Sequence, residues 1–163
     1  PATMQPSGSP AVSTSPAPAQ TPAAPTVFTW PVKGEVIADY SLEVLAYDET
    51  MGDWRTHSGL DIAASLGTEV LAVAAGTVES IEDDVLMGTT IVVDHGDGLK
   101  SVYANLAATP AVQVGDAVQT GAVLGAVGDT AAAEAAKAPH LHFEMIRGDE
   151  PVDPASFLPQ HTP

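Results

Sequence analysis

Residues 56–61 read Thr-His-Ser-Gly-Leu-Asp, and residues 139–144 read Pro-His-Leu-His-Phe-Glu. These two motifs lie far apart in the sequence, so only a fold that brings them together can use their matched chemistry. A catalytic zinc site uses three protein ligands of nitrogen or oxygen type and leaves the fourth tetrahedral position to water or substrate. His57, Asp61 and His142 satisfy that count, and the two motifs together therefore predict a zinc site.

The spacing within each motif supports this interpretation. On an extended strand, residues two or four apart point to the same face. His57 and Asp61 can therefore converge on one point, and His140 and His142 share a face in the same way. If one of this second pair binds the metal, the other stands beside the water that the metal holds. Taken singly, a motif of either kind more often has a structural role or lies on the surface than supplies a pair of metal ligands.

The remainder of the chain predicts an all-β fold of antiparallel strands. Short runs rich in Val, Ile and Thr recur between Gly and Asp residues, and they predict strands at residues 68–73, 76–81, 89–95, 99–105, 123–127 and 141–147. Polar and apolar positions partly alternate in two of these runs, as expected of strands with one buried face. Between them, Asp97 and Gly98 predict a hairpin turn, because glycine tolerates the positive φ that tight turns require.

The alanine-rich run at residues 131–137 is the one segment that looks helical. Isolated helices this short are marginal in water. We interpret the run as one or two helical turns on the loop that leads to His140, where it could form one side of the zinc cleft. A flexible surface insertion is the equal alternative.

The composition predicts one domain and a linker. Residues 1–27 contain seven prolines and no charged side chain, which is typical of a disordered, semi-rigid spacer. We expect the domain to span residues 28–159, with a short tail at 160–163. A secretory or membrane-anchoring segment normally precedes such a linker, and we expect an anchor on the N-terminal side of Pro1. The absence of cysteine excludes disulfides and thiol chemistry.

The charge excludes one class of partner. The chain carries 21 acidic and 5 basic residues, a formal net charge of −16, and residues 1–27 contribute nothing to it. Nucleic-acid binding needs a basic surface to displace counterions. Such an acidic field instead keeps a protein soluble and repels polyanions, so nucleic acid is excluded as a partner.

With these residues in view, the chain resembles the lysostaphin/LytM type of zinc metallopeptidases, which cut peptide bonds in bacterial peptidoglycan. The resemblance covers nearly everything after residue 28 and rests on residues 57–64, 67–70, 75–78, 93–96, 114–116, 139–144 and 151–154. It implies an antiparallel β-sheet core of the LytM, or duplicated-hybrid-motif, type with a zinc cleft. It also implies Zn²⁺ ligands at His57, Asp61 and His142, and a general acid or base at His140.

One departure from the family pattern bears on activity. Hydrolytic members usually carry a second catalytic histidine in a Tyr-x-His-Leu segment, and here residues 103–106 read Tyr-Ala-Asn-Leu. Asn105 cannot take up or release a proton. Zinc alone can lower the pKa of a bound water to near 7, but a positioned acid or base contributes a further ~10²- to 10⁴-fold in rate. We therefore expect zinc binding with weak or absent peptidase activity.

A narrower likeness is to the LytM domains of the forespore engulfment channel in spore-forming bacteria. It rests on residues 52–57, on the Asn105 variant and on the long spacer before Pro139. It implies a sporulation-type scaffold outside the cytoplasm, in the cell envelope, which binds an envelope protein partner. The alternative is an active endopeptidase that binds and cleaves peptidoglycan peptides, and a third possibility is a metal site that stays empty.

Overall fold

The computed structural model describes residues 25–48, 53–132 and 138–159. Over these residues the chain forms twelve strands and one short 3-10 helix. The strands are β1 Glu35–Ala38, β2 Ser41–Asp48, β3 Asp53–His57, β4 Leu60–Ala63, β5 Glu69–Leu71, β6 Gly76–Asp84, β7 Gly88–Gly96, β8 Leu99–Leu106, β9 Ala117–Val118, β10 Val123–Ala126, β11 His140–Arg147 and β12 Glu150–Val152. The 3-10 helix is Pro154–Ser156.

Eight of the strands form one antiparallel sheet. Its order is β1-β4-β11-β8-β7-β6-β9, and β12 pairs with the C-terminal part of β11. Two smaller sheets pair β5 with β10 and β2 with β3. The predicted all-β antiparallel fold is confirmed. Each of the six predicted strands is present, with β5 shorter and β6 longer than expected, whereas β1 to β4, β9 and β12 were not predicted.

The hairpin between β7 and β8 has the predicted turn. β7 ends at Gly96 and β8 begins at Leu99. Asp97 has a φ of 55° and Gly98 a φ of 75°, so both central residues adopt the positive values that a two-residue hairpin loop favours. By contrast, the predicted helical run cannot be assessed, because residues 133–137 lie outside the described part of the chain.

The two faces of β11 have different chemistry because side chains alternate along a strand. Leu141, Phe143 and Met145 are fully buried in the hydrophobic core. The intervening residues His140, His142 and Glu144 therefore stand together on the opposite face. On the neighbouring strand β4, Leu60 and Ile62 enter the core, which places Asp61 on the same polar face. One sheet surface thus packs on the core, and the other carries the predicted metal ligands Asp61 and His142.

His95 is part of a buried hydrogen-bond chain within the fold. Its Nδ1 donates to the carbonyl oxygen of Ala75 at 2.8 Å, and its Nε2 lies 2.7 Å from Ser101 Oγ. The hydroxyls of Ser101 and Tyr103 are 2.8 Å apart, and the Tyr103 hydroxyl accepts the amide hydrogen of Val73. Both ring nitrogens of His95 are used within the fold, so this histidine has a structural role.

The first described residues lie against the core close to the last ones. Phe28 and Trp30 pack on the core, and Trp30 Nε1 donates to the carbonyl oxygen of Pro159 at 3.1 Å. Phe28 contacts Phe157 with ring centroids 5.6 Å apart. The predicted linker, apart from its last three residues, and the predicted tail lie outside the described residues. Within the described ranges, no helix is long and apolar enough to cross a membrane.

Candidate metal centre

The sheet register brings the two histidine motifs together. β4 and β11 pair so that His142 stands directly opposite Asp61. β3 ends at His57 and β4 begins at Leu60, so the chain bends between them. The assumption that one extended strand carries both His57 and Asp61 is therefore wrong. Their convergence comes from the bend, which returns the ring of His57 over the face of β4.

Three side chains of different strands meet at one point. His142 Nδ1 lies 2.7 Å from Asp61 Oδ1, and His57 Nε2 lies 3.3 Å from the same oxygen. One ligand atom from each of the three residues falls within 4.8 Å of the other two. The two imidazole rings have centroids 5.2 Å apart and meet edge to face. This set of two nitrogens and one oxygen leaves room for a fourth ligand, as a catalytic type of zinc site does.

Hydrogen bonds on the outer side of each ring fix which nitrogen faces the shared point. His57 Nδ1 donates to the carbonyl oxygen of Asp39 at 3.0 Å. His142 Nε2 donates to Glu144 Oε1 at 2.9 Å, and that carboxylate also accepts the hydroxyl of Ser58 at 2.7 Å. Acceptors of this kind orient metal-binding histidines and fix their tautomers. Each imidazole thus turns its remaining nitrogen toward Asp61.

The two carboxylates beside His142 favour a positive charge on its imidazole ring. Burial alone would raise the pKa of Asp61, but its interactions with the His142 and His57 rings hold it far below its usual range. Burial would lower the pKa of His142, yet its contacts with Asp61 and Glu144 raise it to about 10. Without metal, the His142 imidazolium therefore donates to both carboxylates. A metal bound at Nδ1 replaces one of those protons, so metal and proton compete for this position.

His57 provides the test of whether these residues fit a metal ion. Its Nε2 is buried and makes no hydrogen bond within the described part of the chain. Because Nδ1 carries the proton, Nε2 directs a lone pair toward the Asp61 carboxylate 3.3 Å away. Buried polar atoms are normally paired, and two electron-rich atoms this close repel each other unless a proton or a metal ion lies between them. The donor set therefore fits a divalent ion that accepts imidazole and carboxylate ligands, as zinc does.

His140 lies on the same face of β11 as His142, immediately beside the cluster. Its side chain is fully buried, and its Nδ1 donates to the carbonyl oxygen of Ala138 at 2.7 Å. The other ring nitrogen, Nε2, is 3.9 Å from Asp61 Oδ1. His140 Nε2 therefore faces the cluster, at a distance from Asp61 Oδ1 that is longer than a hydrogen bond.

Asn105 lies at the end of β8, with its side chain directed at the protein backbone. The side-chain Nδ2 donates to the carbonyl oxygen of His140 at 2.9 Å, and Oδ1 accepts the amide hydrogen of Ala131 at 3.1 Å. The residue is 4% exposed. Both ends of its amide are therefore occupied by main-chain partners, and neither is directed at Asp61.

Sequence reasoning missed three contributors to this centre. Glu144 and Ser58 form the outer shell of His142, and Asp39 supplies the carbonyl that orients His57. The strand period could have found Glu144, since it follows His142 by two residues and must share its face. Asp39 acts through its backbone, which no side-chain pattern records.

The described residues combine an antiparallel β-sheet with a His-Asp-His cluster that could hold a metal ion. The chain belongs to Peptidase family M23, whose model matches residues 55–154. The resemblance to LytM-type peptidases that the sequence motifs indicate is confirmed by this match.

Two curated relatives illustrate the range of proteins that contain this domain. The chain is 34% identical over 140 residues to the cell division protein DipM of Caulobacter vibrioides, covering 82% of this chain and 21% of DipM. It is 33% identical over 117 residues to the stage II sporulation protein Q of Bacillus subtilis, covering 71% of this chain and 40% of that protein. The chain thus spans well under half of either relative.

Solved structures share the fold. A putative M23 peptidase from Pseudomonas aeruginosa superposes with a TM-score of 0.68 at 35% identity, covering 84% of this chain and 53% of that one. A chain of the SpoIIQ–SpoIIIAH pore-forming complex gives a TM-score of 0.70 at 25% identity, covering 82% of this chain and 91% of that one.

Proposed function

We propose that this chain is a zinc-binding M23 domain of the bacterial cell envelope, with impaired hydrolysis of peptidoglycan, that serves chiefly to bind another envelope protein. The single observation that carries the proposal is the hydrogen bonding of the Asn105 side chain. At the position of a second catalytic histidine, its amide is bound on both sides to backbone. The metal-binding side chains are present while this part of the proton-transfer apparatus is absent.

Zinc would be held by His57 Nε2, Asp61 Oδ1 and His142 Nδ1. When bound, it would polarise a substrate carbonyl and lower the pKa of a water to near 7. The chain's own contribution is to hold the two imidazoles in the correct tautomer through Asp39 and Glu144. Loss of such outer partners typically costs about 10- to 100-fold in metal affinity or activity.

The expected defect is in proton transfer. Peptide hydrolysis requires one proton to leave the attacking water and one to reach the departing amine. His140 is the single imidazole beside the cluster, among the described residues, that is not itself a proposed ligand. Since a positioned acid or base contributes ~10²- to 10⁴-fold in rate, one histidine in place of two lowers hydrolysis by a factor of that order.

An assembly role is supported by the relatives rather than by the site. The SpoIIQ chain was solved in a pore-forming complex with a second protein. The chain is also 34% identical over 130 residues to the murein hydrolase activator EnvC of Escherichia coli, covering 28% of that protein, which is named for activating hydrolysis. These relatives support a place outside the cytoplasm, next to peptidoglycan. The acidic charge of −16 favours a partner with a basic surface.

The alternative function is an active endopeptidase for peptidoglycan cross-links. His140 favours it, because its buried Nε2 stands 3.9 Å from Asp61 Oδ1 and could serve alternately as base and acid. The chain is also 36% identical over 103 residues to the DD-carboxypeptidase/endopeptidase Mpg of Neisseria meningitidis, covering 63% of this chain and 23% of Mpg. In this alternative, hydrolysis tolerates the absence of a proton carrier at position 105.

Metal content and peptide release, measured on the same preparations, distinguish the two functions. The native chain and His142→Ala are dialysed at pH 7, analysed by mass spectrometry for zinc, and incubated with purified peptidoglycan. We expect one zinc per native chain, less in His142→Ala, and no more released peptide from the native chain than from the variant. Release well above the variant that a chelator abolishes would establish the endopeptidase. A native chain without zinc would contradict both functions.

A further inference from the structure

Asn105 adopts a backbone conformation that few residues accept. Its φ is 62°, in the left-handed region that asparagine tolerates better than most side chains. The β7–β8 register shifts between Thr89 and Ile91, so β8 contains an extra residue opposite β7. Such a bulge bends a strand and redirects its side chains, and bulges are common next to functional sites. Here it turns Asn105 away from the β7 ladder.

The backbone of Asn105 is fixed on both sides of this bulge. Its amide hydrogen is donated to the carbonyl oxygen of Met87, and its carbonyl oxygen accepts the amide hydrogen of Gly128, both at 2.9 Å. The residue therefore has a defined position between the β6–β7 hairpin and the segment after β10. A side chain on such an anchored backbone can hold a neighbouring segment in place.

The Asn105 side chain makes a hydrogen bond to β11 that the backbone of β8 does not make at this point. The ladder between β8 and β11 begins at the pair Ala104–His142, so β8 offers no backbone donor to the carbonyl oxygen of His140. Asn105 Nδ2 supplies that donor at 2.9 Å, and Oδ1 accepts the amide hydrogen of Ala131 at 3.1 Å. Since a carbonyl can only accept and a backbone amide can only donate, this orientation of the side-chain amide is the one that satisfies both.

Asn105 thus links two backbone groups that are remote from it in the sequence, the amide of Ala131 and the carbonyl of His140. The backbone of His140 also pairs with Ala63 on β4. The ring of His140 is oriented by the carbonyl oxygen of Ala138. The backbone that Asn105 holds is therefore the one that carries the imidazole beside Asp61.

We infer that Asn105 is a positioning residue: its side-chain amide bridges the backbone of Ala131 and His140 and thereby holds the His140 ring beside the His57-Asp61-His142 cluster. The side chain at this position thus binds two backbone groups and is not a proton carrier. The inference rests on the contacts of Asn105 and does not depend on whether the chain hydrolyses peptides. A neutral histidine at this position offers one donor and one acceptor, but only Nδ1 is bonded to Cγ and Nε2 lies one bond further out, so the two nitrogens do not match the positions of the branched amide.

The test is hydrogen–deuterium exchange of the native chain, Asn105→Gly, Asn105→His and the control Ser101→Ala. Glycine keeps the positive φ and deletes only the side chain. Ser101 is equally buried on the same strand, but it bonds to His95 and Tyr103 and so reports general loss of stability. In Asn105→Gly and Asn105→His we expect exchange of the Ala131 amide to rise on the order of tenfold or more, because its acceptor is lost.

The His140 ring provides the readout that a purely structural role would not change. In the native chain its Nδ1 proton, bonded to Ala138, should give an observable NMR signal, and the two Asn105 variants should lose it while Ser101→Ala keeps it. In the unmodified chain, the Asn105 side-chain amide protons should also exchange slowly, which needs no variant to fold. Native exchange at Ala131 in Asn105→Gly, an equal rise in Ser101→Ala, or a rapidly exchanging Asn105 side chain would overturn the inference.

Discussion

Replacing Gly59 by alanine should weaken the metal centre although no proposed ligand is itself replaced. Gly59 lies in the bend between His57 and Asp61, where β11 passes closely. A Cβ built there would lie 2.6 Å from the carbonyl oxygen of Phe143, 2.8 Å from Glu144 Cγ and 3.0 Å from His142 Cε1. Because favourable contacts between carbon atoms lie at about 3.5–4.0 Å, the bend and β11 must separate by roughly 0.5–1 Å.

The size of the effect follows from two opposing terms. Overpacking of a well-packed site costs about 1–3 kcal/mol, whereas a Gly-to-Ala change stabilises by about 0.4–1 kcal/mol through the unfolded chain. The expected net loss is on the order of 1–2 kcal/mol in the free energy of unfolding. Zinc affinity should fall further, since ligand distances must hold to within about 0.2 Å, and we expect a loss of about 10- to 100-fold.

Urea unfolding of the metal-free chain and zinc titration against a competing chelator measure the two effects separately. The matched control is Gly125→Ala on β10, where the nearest atom to a new Cβ is Pro110 Cα at 3.8 Å, an ordinary contact. That variant should keep native stability or gain slightly, with unchanged zinc affinity. Native stability and native zinc affinity in Gly59→Ala would refute the close-approach argument, as would equal losses in both variants.

Two further predictions concern the outer shell of His142 and the buried His95. Glu144→Gln keeps the shape of the side chain but removes the carboxylate that accepts from His142, so zinc affinity should fall about tenfold or more in chelator competition; an unchanged affinity would show that Glu144 is not needed. Burial lowers the pKa of His95 below its ordinary value of 6.5, against opposing effects of Ala75 and Asp94. The stability that neutral His95 contributes is therefore complete above about pH 6.5 and is lost as the pH falls through its folded-state pKa, because the unfolded chain takes up the proton first. His95→Gln should lower the free energy of unfolding at pH 7 but lose less on going to pH 5 than the native chain does. Equal losses in both chains would contradict this assignment.

Local sequence patterns predicted six of the twelve described strands. β7, β8 and β11 were predictable from local sequence. Polar and apolar residues alternate along strands that bury one face, and the Asp97-Gly98 turn is itself a short sequence pattern. β1 and β4 were missed, since Glu35–Ala38 and Leu60–Ala63 are short and have no clear alternation of their own. They become strands by pairing with each other and, for β4, with β11, and such pairing is not encoded in a window of the sequence.

The sequence by itself determined the chemistry available to this protein: two histidine motifs, a carboxylate, an asparagine at position 105, no cysteine and few basic residues. The tertiary structure alone decided how that chemistry is arranged. The bend at Gly59 brings His57 over β4, and the bulge at the end of β8 turns Asn105 onto Ala131 and His140. Residue types are local properties of the chain, whereas the direction of a lone pair depends on backbone contacts between segments remote in sequence.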